Sequence, residues 1–364
     1  MNSPRITLLF PECENVHLTK DLGMIPFILH KYLGYDATIA CYNNGEYPYA
    51  KEEVKGVKLD FFENMEGRLN DGSRYLQENA SEIDILYLWG IYRETVTWLL
   101  IYKRLNPEGK VYLKLDANVW WMNRLELTEE VITILNQCHV ISVECKRLHE
   151  YLNRRWPLSI HYIPNGYYNF HNSPEVDYDE KENTILTVGR IGTVQKANDV
   201  LLQAFKLAEA NIPDWKLKVV GDIQEDFHAY INQYMEENPH LKSRIIFTGG
   251  ITDRKALENE YRKAKIFCLT SVNEGFPLVF PEAAVNGCYI VSTDLDPAYD
   301  ITDNQKFGAL FPIGNSEQLS NIWVDVCNDE ERLKNTCKQI QKFTRDSFNW
   351  IKIGKKLDLL FKLS

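Results

Sequence analysis

The chain alternates short apolar runs with stretches whose apolar positions recur every three or four residues. In its first half the runs are Ile6–Phe10, Ala37–Tyr42, Ile83–Leu88, Val111–Leu115 and Val140–Val143. Predominantly apolar runs of so few residues, rich in Ile, Val and Leu, read as strands. Asp21–Leu33, Glu94–Leu105 and Thr128–Asn136 carry the helical period instead. Strand and helix in alternation predict a parallel, doubly wound sheet with helices on both faces. The pattern breaks at Ile163-Pro164-Asn165-Gly166, which opens a polar, turn-rich stretch running to Glu182. Alternation then restarts, with strands at Thr184–Val188, Leu217–Val220, Ile245–Thr248, Ile266–Thr270 and Tyr289–Thr293. Helices are expected at Asp199–Glu209, Phe227–Met235, Lys255–Lys263 and Val279–Asn286, then at Ser316–Val326, Glu330–Phe343 and Trp350–Leu363. The expected fold class is therefore α/β, with two doubly wound, Rossmann-like domains, 1–165 and 166–345, facing across a cleft. The last helix, about 346–364, is expected to pack back on the first domain, whose face it covers more simply than it would a membrane. Ligands of such sheets bind beyond the carboxyl ends of the strands.

Composition narrows the class of function. A length of 364 residues suits two domains. Forty-one Lys and Arg against 51 Asp and Glu leave a net charge of -10, which argues against a chain that coats nucleic acid or an anionic bilayer. No apolar run approaches the roughly 18 residues that span a membrane. Ile6–Phe10, followed by Pro11, Glu12 and Glu14, is too short for a secretory signal, so a cytoplasmic location is expected. The eight cysteines are scattered without a C-x-x-C pair, as suits free thiols in a reducing compartment. Cys138, His139, Cys145 and His149 fit no zinc spacing, and Asp294-Leu295-Asp296, formally an Asp-x-Asp, is set aside. Neither a metal nor a cofactor is expected.

Candidate chemistry concentrates in the second half. Strand Thr184–Val188 ends in Gly189-Arg190, and Lys196 follows on the loop before the next helix. Arg offers a planar fork of donors and Lys a compact charge, a pair suited to a diphosphate. After Ile266–Thr270 comes Ser271-Val272-Asn273-Glu274-Gly275-Phe276-Pro277-Leu278, with Glu282 early in the helix beyond. Each carboxylate can accept two hydrogen bonds from vicinal hydroxyls, so Glu274 and Glu282 suit two different sugar rings. Gly275 permits close backbone approach, and Pro277 suits a helix start whose free N–H groups face the loop.

Taken in order, Val188-Gly189-Arg190 with Lys196, Val220-Gly221-Asp222, Phe247-Thr248-Gly249, Glu274-Gly275-Phe276-Pro277-Leu278 and Glu282-Ala283 resemble a retaining glycosyltransferase of family 4, a group 1 glycosyltransferase of the GT-B fold. Ile163-Pro164-Asn165-Gly166, Thr293-Asp294, Phe307-Gly308, Phe311-Pro312 and Phe348-Asn349-Trp350 fit the same pattern, whereas the first domain matches in architecture alone. The resemblance implies transfer of a hexose-type sugar from a nucleoside-diphosphate donor, UDP- or GDP-linked. The implied acceptor is a carbohydrate, lipid-linked oligosaccharides included, in bacterial cell-surface polysaccharide assembly. It further implies that Arg190 and Lys196 bind the diphosphate, Glu282 the ribose hydroxyls and Glu274 the donor sugar. Gly189, Gly221, Gly275 and the backbone at Phe276, Pro277 and Leu278 would line the donor, with Thr248, Gly249 and Ile251 flanking the base. The implied catalytic set is Arg190, Lys196, Glu274 and Asp116. His17 and Gly23 in the first loop, and Asp116 and Asn118 where many members carry a histidine, would face the acceptor. Nucleic acid is not an expected partner. Peripheral contact with a membrane stays open through the last helix with Lys352, Lys355, Lys356 and Lys362, and the oligomeric state is not read. Two other classes share the pattern. A sugar-nucleotide epimerase of GT-B shape would need an acid/base pair at the sugar ring. A catalytically silent partner subunit would be expected to lose one of the four charged residues.

Overall fold

In the computed structural model, which describes residues 3–363, the apolar runs form two parallel sheets. The first contains β1 (Arg5–Leu9), β2 (Asp36–Cys41), β3 (Lys58–Phe61), β4 (Ile85–Trp89), β5 (Lys110–Lys114), β6 (Val140–Val143) and β7 (Ile160–Tyr162), in the order β3-β2-β1-β4-β5-β6-β7. The second contains β8 (Glu182–Val188), β9 (Lys216–Val220), β10 (Ile245–Gly249), β11 (Ala264–Leu269), β12 (Tyr289–Thr293) and β13 (Gly308–Phe311), in the order β10-β9-β8-β11-β12-β13. Each sheet belongs to its own compact unit, Met1–Tyr168 with Asn349–Ser364 and Asn169–Phe348. Both are Rossmann-like: the strand order reverses beside the first strand, between β1 and β4 and between β8 and β11. A reversal of this kind splays the loops on its two sides and opens a crevice at the strand ends.

Leu8, Ile39, Leu86 and Val111 are fully buried in the first unit, as are Ile185, Leu217, Ile266 and Val291 in the second. Burial on both faces explains why these strands read as mainly apolar runs and not as alternating ones. The helix Trp350–Leu363 closes the first unit by packing on Asp21–Leu33. Gly354 makes that approach possible, since a Cβ there would stand 2.4 Å from Ile28 Cγ2. The Tyr35 hydroxyl donates to Asp358 Oδ1 at 2.8 Å, and Phe361 meets Tyr112 edge-on. Among the described residues no helix is long and apolar enough to cross a membrane.

Several elements lie outside the apolar pattern. β3 is an edge strand whose residues are mostly exposed, and β7 has three residues. The helix Arg68–Asn79 is polar overall, and Asp296–Ile301 is a short helix of six residues with Pro297 near its start. Asp296 of the Asp-x-Asp thus opens a helix, where a carboxylate meets the positive end of the dipole.

The first unit holds an unusual charge. Lys114, the last residue of β5, is 0% exposed, with its ammonium 2.8 Å from Asp21 and 2.9 Å from Glu144. It also donates to Asn165 Oδ1 at 2.8 Å. Burial by itself lowers a lysine's pKa, but Asp21 and Glu144 outweigh it and raise it. Trp89 Nε1 donates to Asp21 at 3.2 Å, so the ends of β4, β5 and β6 and the start of Asp21–Leu33 meet at one cation. Removing only the cation leaves two buried carboxylates, and breaking such a group costs about 3–5 kcal/mol. Lys114→Met should therefore lose about that much stability in urea titration. The triple variant Lys114→Met/Asp21→Asn/Glu144→Gln should recover most of it, and an unchanged midpoint in the single variant would contradict the account.

Candidate active site

In the second unit the reversal of strand order lies between β8 and β11, and the loops leaving these two strands carry the charged residues. After β8 the chain runs through Gly189, Arg190 and Gly192 to Lys196 before the helix Asn198–Ala208. Asn198 Oδ1 accepts from the Gly192 N–H at 2.8 Å, which closes this loop on itself. Ala197 takes the left-handed conformation, φ 44°, a strained choice for a residue with a Cβ. That turn directs the chain into the helix immediately after Lys196.

The loop after β11 is laced to this one. Thr270 Oγ1 donates to the Lys196 carbonyl at 2.7 Å, the Val272 N–H to the Gln195 carbonyl at 2.8 Å, and Gln195 Nε2 to the Asn273 carbonyl at 3.0 Å. Thr293 Oγ1 at the end of β12 donates to the Ser271 carbonyl at 2.6 Å. The Ser271 hydroxyl is buried with no hydrogen-bond partner among the described residues. Phe276 is buried against Phe348, 5.6 Å between ring centroids, so its side chain anchors the loop while its backbone stays with the site.

These ties bring Lys196 Nζ to 2.6 Å from Glu274 Oε1, with side chains 14% and 11% exposed. Arg190 is exposed and donates from Nη2 to Gln195 Oε1 at 3.0 Å. A small hollow beside them is lined by Gly189, Arg190, Lys196, Asn198 and Thr270. Both cations and Glu274 therefore meet at the carboxyl ends of β8 and β11.

Glu282 occupies a separate node. Its Oε1 is 2.7 Å from Arg254 Nη2, and its Oε2 accepts from the Tyr261 hydroxyl at 3.0 Å. Tyr261 is fully buried, and burial with Glu282 beside it holds the phenol far above its usual pKa. Arg254 and Tyr261 escaped the sequence reading. The signal available was their spacing, seven residues apart on one helix and hence on one face. Each Glu282 oxygen keeps a lone pair beyond the bond it already accepts.

The glycine-bearing turns frame one side of this site. Gly221 N–H donates to the Gly249 carbonyl and Gly189 N–H to the Val220 carbonyl, linking the ends of β8, β9 and β10. Thr248 is exposed at the end of β10, with its hydroxyl donating to the Gly249 carbonyl at 2.9 Å. Ile251 and Leu278 are half-buried and Pro277 is buried.

The first unit gathers its predicted residues less tightly. His17 lies after β1 with Nδ1 accepting from the Glu14 N–H at 2.9 Å, so the neutral ring carries its proton on Nε2. Burial, with Lys20 nearby, lowers its pKa, and Phe10 packs edge-on against it. Gly23 stands inside the helix Asp21–Leu33, where a Cβ would lie 2.1 Å from the Leu18 carbonyl oxygen, so it shapes the turn by packing. Asp116 and Asn118 follow β5. Asp116 is left-handed, φ 43°, and Asn118 Oδ1 caps the next helix by accepting from the Trp121 N–H at 2.9 Å.

Comparison with known proteins bears mainly on the second unit. Residues 171–345, just under half of the chain, match the family model of glycosyl transferases group 1. A phosphatidyl-myo-inositol mannosyltransferase of Mycolicibacterium smegmatis is 27% identical over 173 residues, 46% of this chain and 43% of that protein. A Campylobacter jejuni alpha-1,4-N-acetyl-D-galactosaminyltransferase acting on an undecaprenol-diphosphate-linked saccharide is 31% identical over 179 residues, 46% of this chain and 47% of that protein. The chain thus spans less than half the length of these curated relatives. Among solved structures, Anabaena HepE in complex with UDP and glucose superposes with a TM-score of 0.77 at 15% identity, covering 99% of this chain and 100% of that one. The lipopolysaccharide outer core galactosyltransferase WaaB gives 0.68 at 16% identity over 98% and 99%. The fold is of the GT-B class.

The close approach of the turns that leave β8 and β9 supplies a test of the site's framework. At Gly221, φ 145°, a Cβ would lie 1.7 Å from the Gly189 carbonyl oxygen, a backbone atom unable to swing aside. Gly221→Ala should lower stability by about 1–3 kcal/mol, the usual cost of overpacking, and displace Gly189-Arg190. Denaturation and UDP titration check this together; unchanged values in both would show the close approach to be dispensable.

Proposed function

We propose that the chain is a retaining glycosyltransferase of family 4 that moves a sugar from a nucleoside-diphosphate donor to a carbohydrate acceptor. The observation that carries this reading is the cluster of Arg190, Lys196 and Glu274 on the laced loops after β8 and β11, inside the stretch that matches the group 1 model. Two cations and a carboxylate at one set of strand ends suit a ligand that is anionic at one end and hydroxyl-rich at the other.

Cleavage of the glycosyl–phosphate bond moves an electron pair onto the leaving oxygen, so negative charge grows on the phosphate and positive charge on the ring. Fixed cations at the phosphate lower that barrier because they need no reorganisation as the charge appears. Lys196 brings three donors, one of them held by Glu274, and Arg190 brings a planar fork. Glu274 accepts from the donor sugar's hydroxyls, and Glu282, oriented by Arg254 and Tyr261, from the ribose. The acceptor hydroxyl attacks on the face the phosphate leaves, passing its proton to the departing phosphate, which gives retention. Side-chain cations supply the counter-charge, and the reading assigns no cofactor or metal. Asp116, strained beyond β5, is assigned to the acceptor side with His17 and Asn118. Relatives named for phosphatidyl-myo-inositol and for an undecaprenol-diphosphate saccharide support a lipid-linked acceptor, and the proposal extends to cell-surface polysaccharide assembly at the face of a membrane.

Each charge-assisted bond to a phosphate or hydroxyl is worth about 1.5–3 kcal/mol. Arg190→Ala and Glu282→Ala should therefore weaken donor binding by roughly tenfold or more, measured by calorimetry with UDP- and GDP-sugars. The wild-type chain should slowly release free nucleoside diphosphate from one of these donors. Wild-type affinity in either variant would sink the site. A changed sugar still attached to its nucleotide would point to an epimerase, and binding without turnover of any donor to a silent subunit.

A further inference from the structure

The first unit contains a hollow that none of the residues discussed above accounts for. It lies open to solvent at the carboxyl ends of β2 and β3, offers about 580 Å³, and is lined by Tyr42, Phe61, Phe62, Asn43, Glu63 and Asn64 among others. That volume falls within the roughly 300–1,000 Å³ of small-ligand sites and exceeds what one pyranose ring fills.

Its walls are fixed from beneath. The buried Asp71 accepts from the Tyr42 hydroxyl at 2.9 Å and from the backbone N–H groups of Met65 and Glu66 at 3.1 and 3.0 Å. Burial alone would raise the Asp71 pKa, but the Glu66 amide, the Tyr42 hydroxyl, the Met65 amide and Arg74 hold it below the usual value. On the other wall, Asn44 Nδ2 donates to the carbonyls of Pro11 and Cys13, both at 2.9 Å, and Tyr47 donates to Cys13 at 2.7 Å. That wall is thereby continuous with the loop that carries His17.

The lining presents two kinds of surface. Phe61 is 47% exposed with Tyr47 behind it, 5.5 Å between ring centroids, whereas Phe62 is wedged between Tyr42 and Tyr75. Asn43 and Asn64 are exposed amides able to donate and accept, and Glu63 is an exposed acceptor. Among the described residues that line the hollow there is one carboxylate and no cation. An apolar ring face with amides and a carboxylate around it matches a sugar, whose axial C–H bonds are apolar and whose rim is hydroxylated. The single negative charge disfavours phosphate and sulfate.

We infer that this hollow is a saccharide-binding subsite that takes neutral sugar units of the acceptor. It rests on the transferase reading, and deepens it by assigning the acceptor's chemistry.

The experiment uses the full chain on an array of neutral, phosphorylated and sulfated oligosaccharides, with UDP titrated into the same preparations. Neutral oligosaccharides should be retained in preference to the charged ones. Phe61→Ala should weaken that retention roughly five- to tenfold, as loss of one aromatic contact implies, and Asn64→Ala should weaken it also. UDP affinity should stay at the wild-type value in both, which reports on folding as well. Wild-type glycan affinity in both variants, preference for charged glycans, or no retention at all would overturn the subsite. Failure of the wild-type chain to bind UDP would instead count against the transferase reading, leaving glycan retention to decide on the hollow.

Discussion

The ammonium of Lys196 and the carboxylate of Glu274, 2.6 Å apart on two loops that leave adjacent strands, set the form of the second unit's site. Neither charge is fully withdrawn from water, so the pair pays only part of the desolvation that would make a buried ion pair costly. Its geometry depends on the topology. β8 and β11 are neighbours although two strands intervene between them in sequence, and only that reversal lets loops from both close over one point. The backbone ties from Gln195, Lys196 and Val272 then hold the loops in register, so the charged side chains start from a stiff base. Preorganised charge stabilises a developing anion far better than charge that must first be gathered.

The first unit repeats the device with the opposite outcome. Lys114 also ends a strand beside carboxylates, but it is wholly enclosed, with Asp21, Glu144 and Asn165 each within 2.9 Å of its ammonium. A lysine of that kind has nothing left for a ligand. The difference between a structural cation and a binding one is here a difference of exposure and of partners already taken. It does not lie in sequence position, since both lysines stand at the carboxyl end of a strand or just beyond it.

That contrast also marks what was legible in the sequence. Strands buried on both faces announce themselves as apolar runs, and those runs fall on most of the strands in both units. β3 and β7 left no such trace, because an edge strand with exposed residues or a three-residue strand has no apolar run to show. Arg190, Lys196, Glu274 and Glu282 stood out by residue type and order. Arg254 and Tyr261, which orient Glu282, did not, because their importance arises only when the helix bearing them is laid against Glu282. Lys114 lies inside the run Val111–Leu115 with nothing to mark its role, because its partners Asp21 and Glu144 are distant in sequence. Pairings across the chain belong to topology, and no local pattern encodes them.

The two units also divide the chemistry by charge. In the second, Arg190 and Lys196 stand at the strand ends of an otherwise acidic chain, where their charge offsets what an anionic ligand loses on leaving water. In the first, the open hollow at the ends of β2 and β3 is lined by rings, amides and one carboxylate, while the unit's strand-end cation is sealed inside. Sealing Lys114 has an electrostatic consequence as well as a structural one. An exposed cation there would give the first unit an anion-attracting point of its own. Held by two carboxylates, it contributes rigidity to the strand ends without that attraction. Charge of this kind favours an anionic ligand at the strand ends of the second unit and disfavours one at the hollow of the first, so it sets selectivity more than affinity.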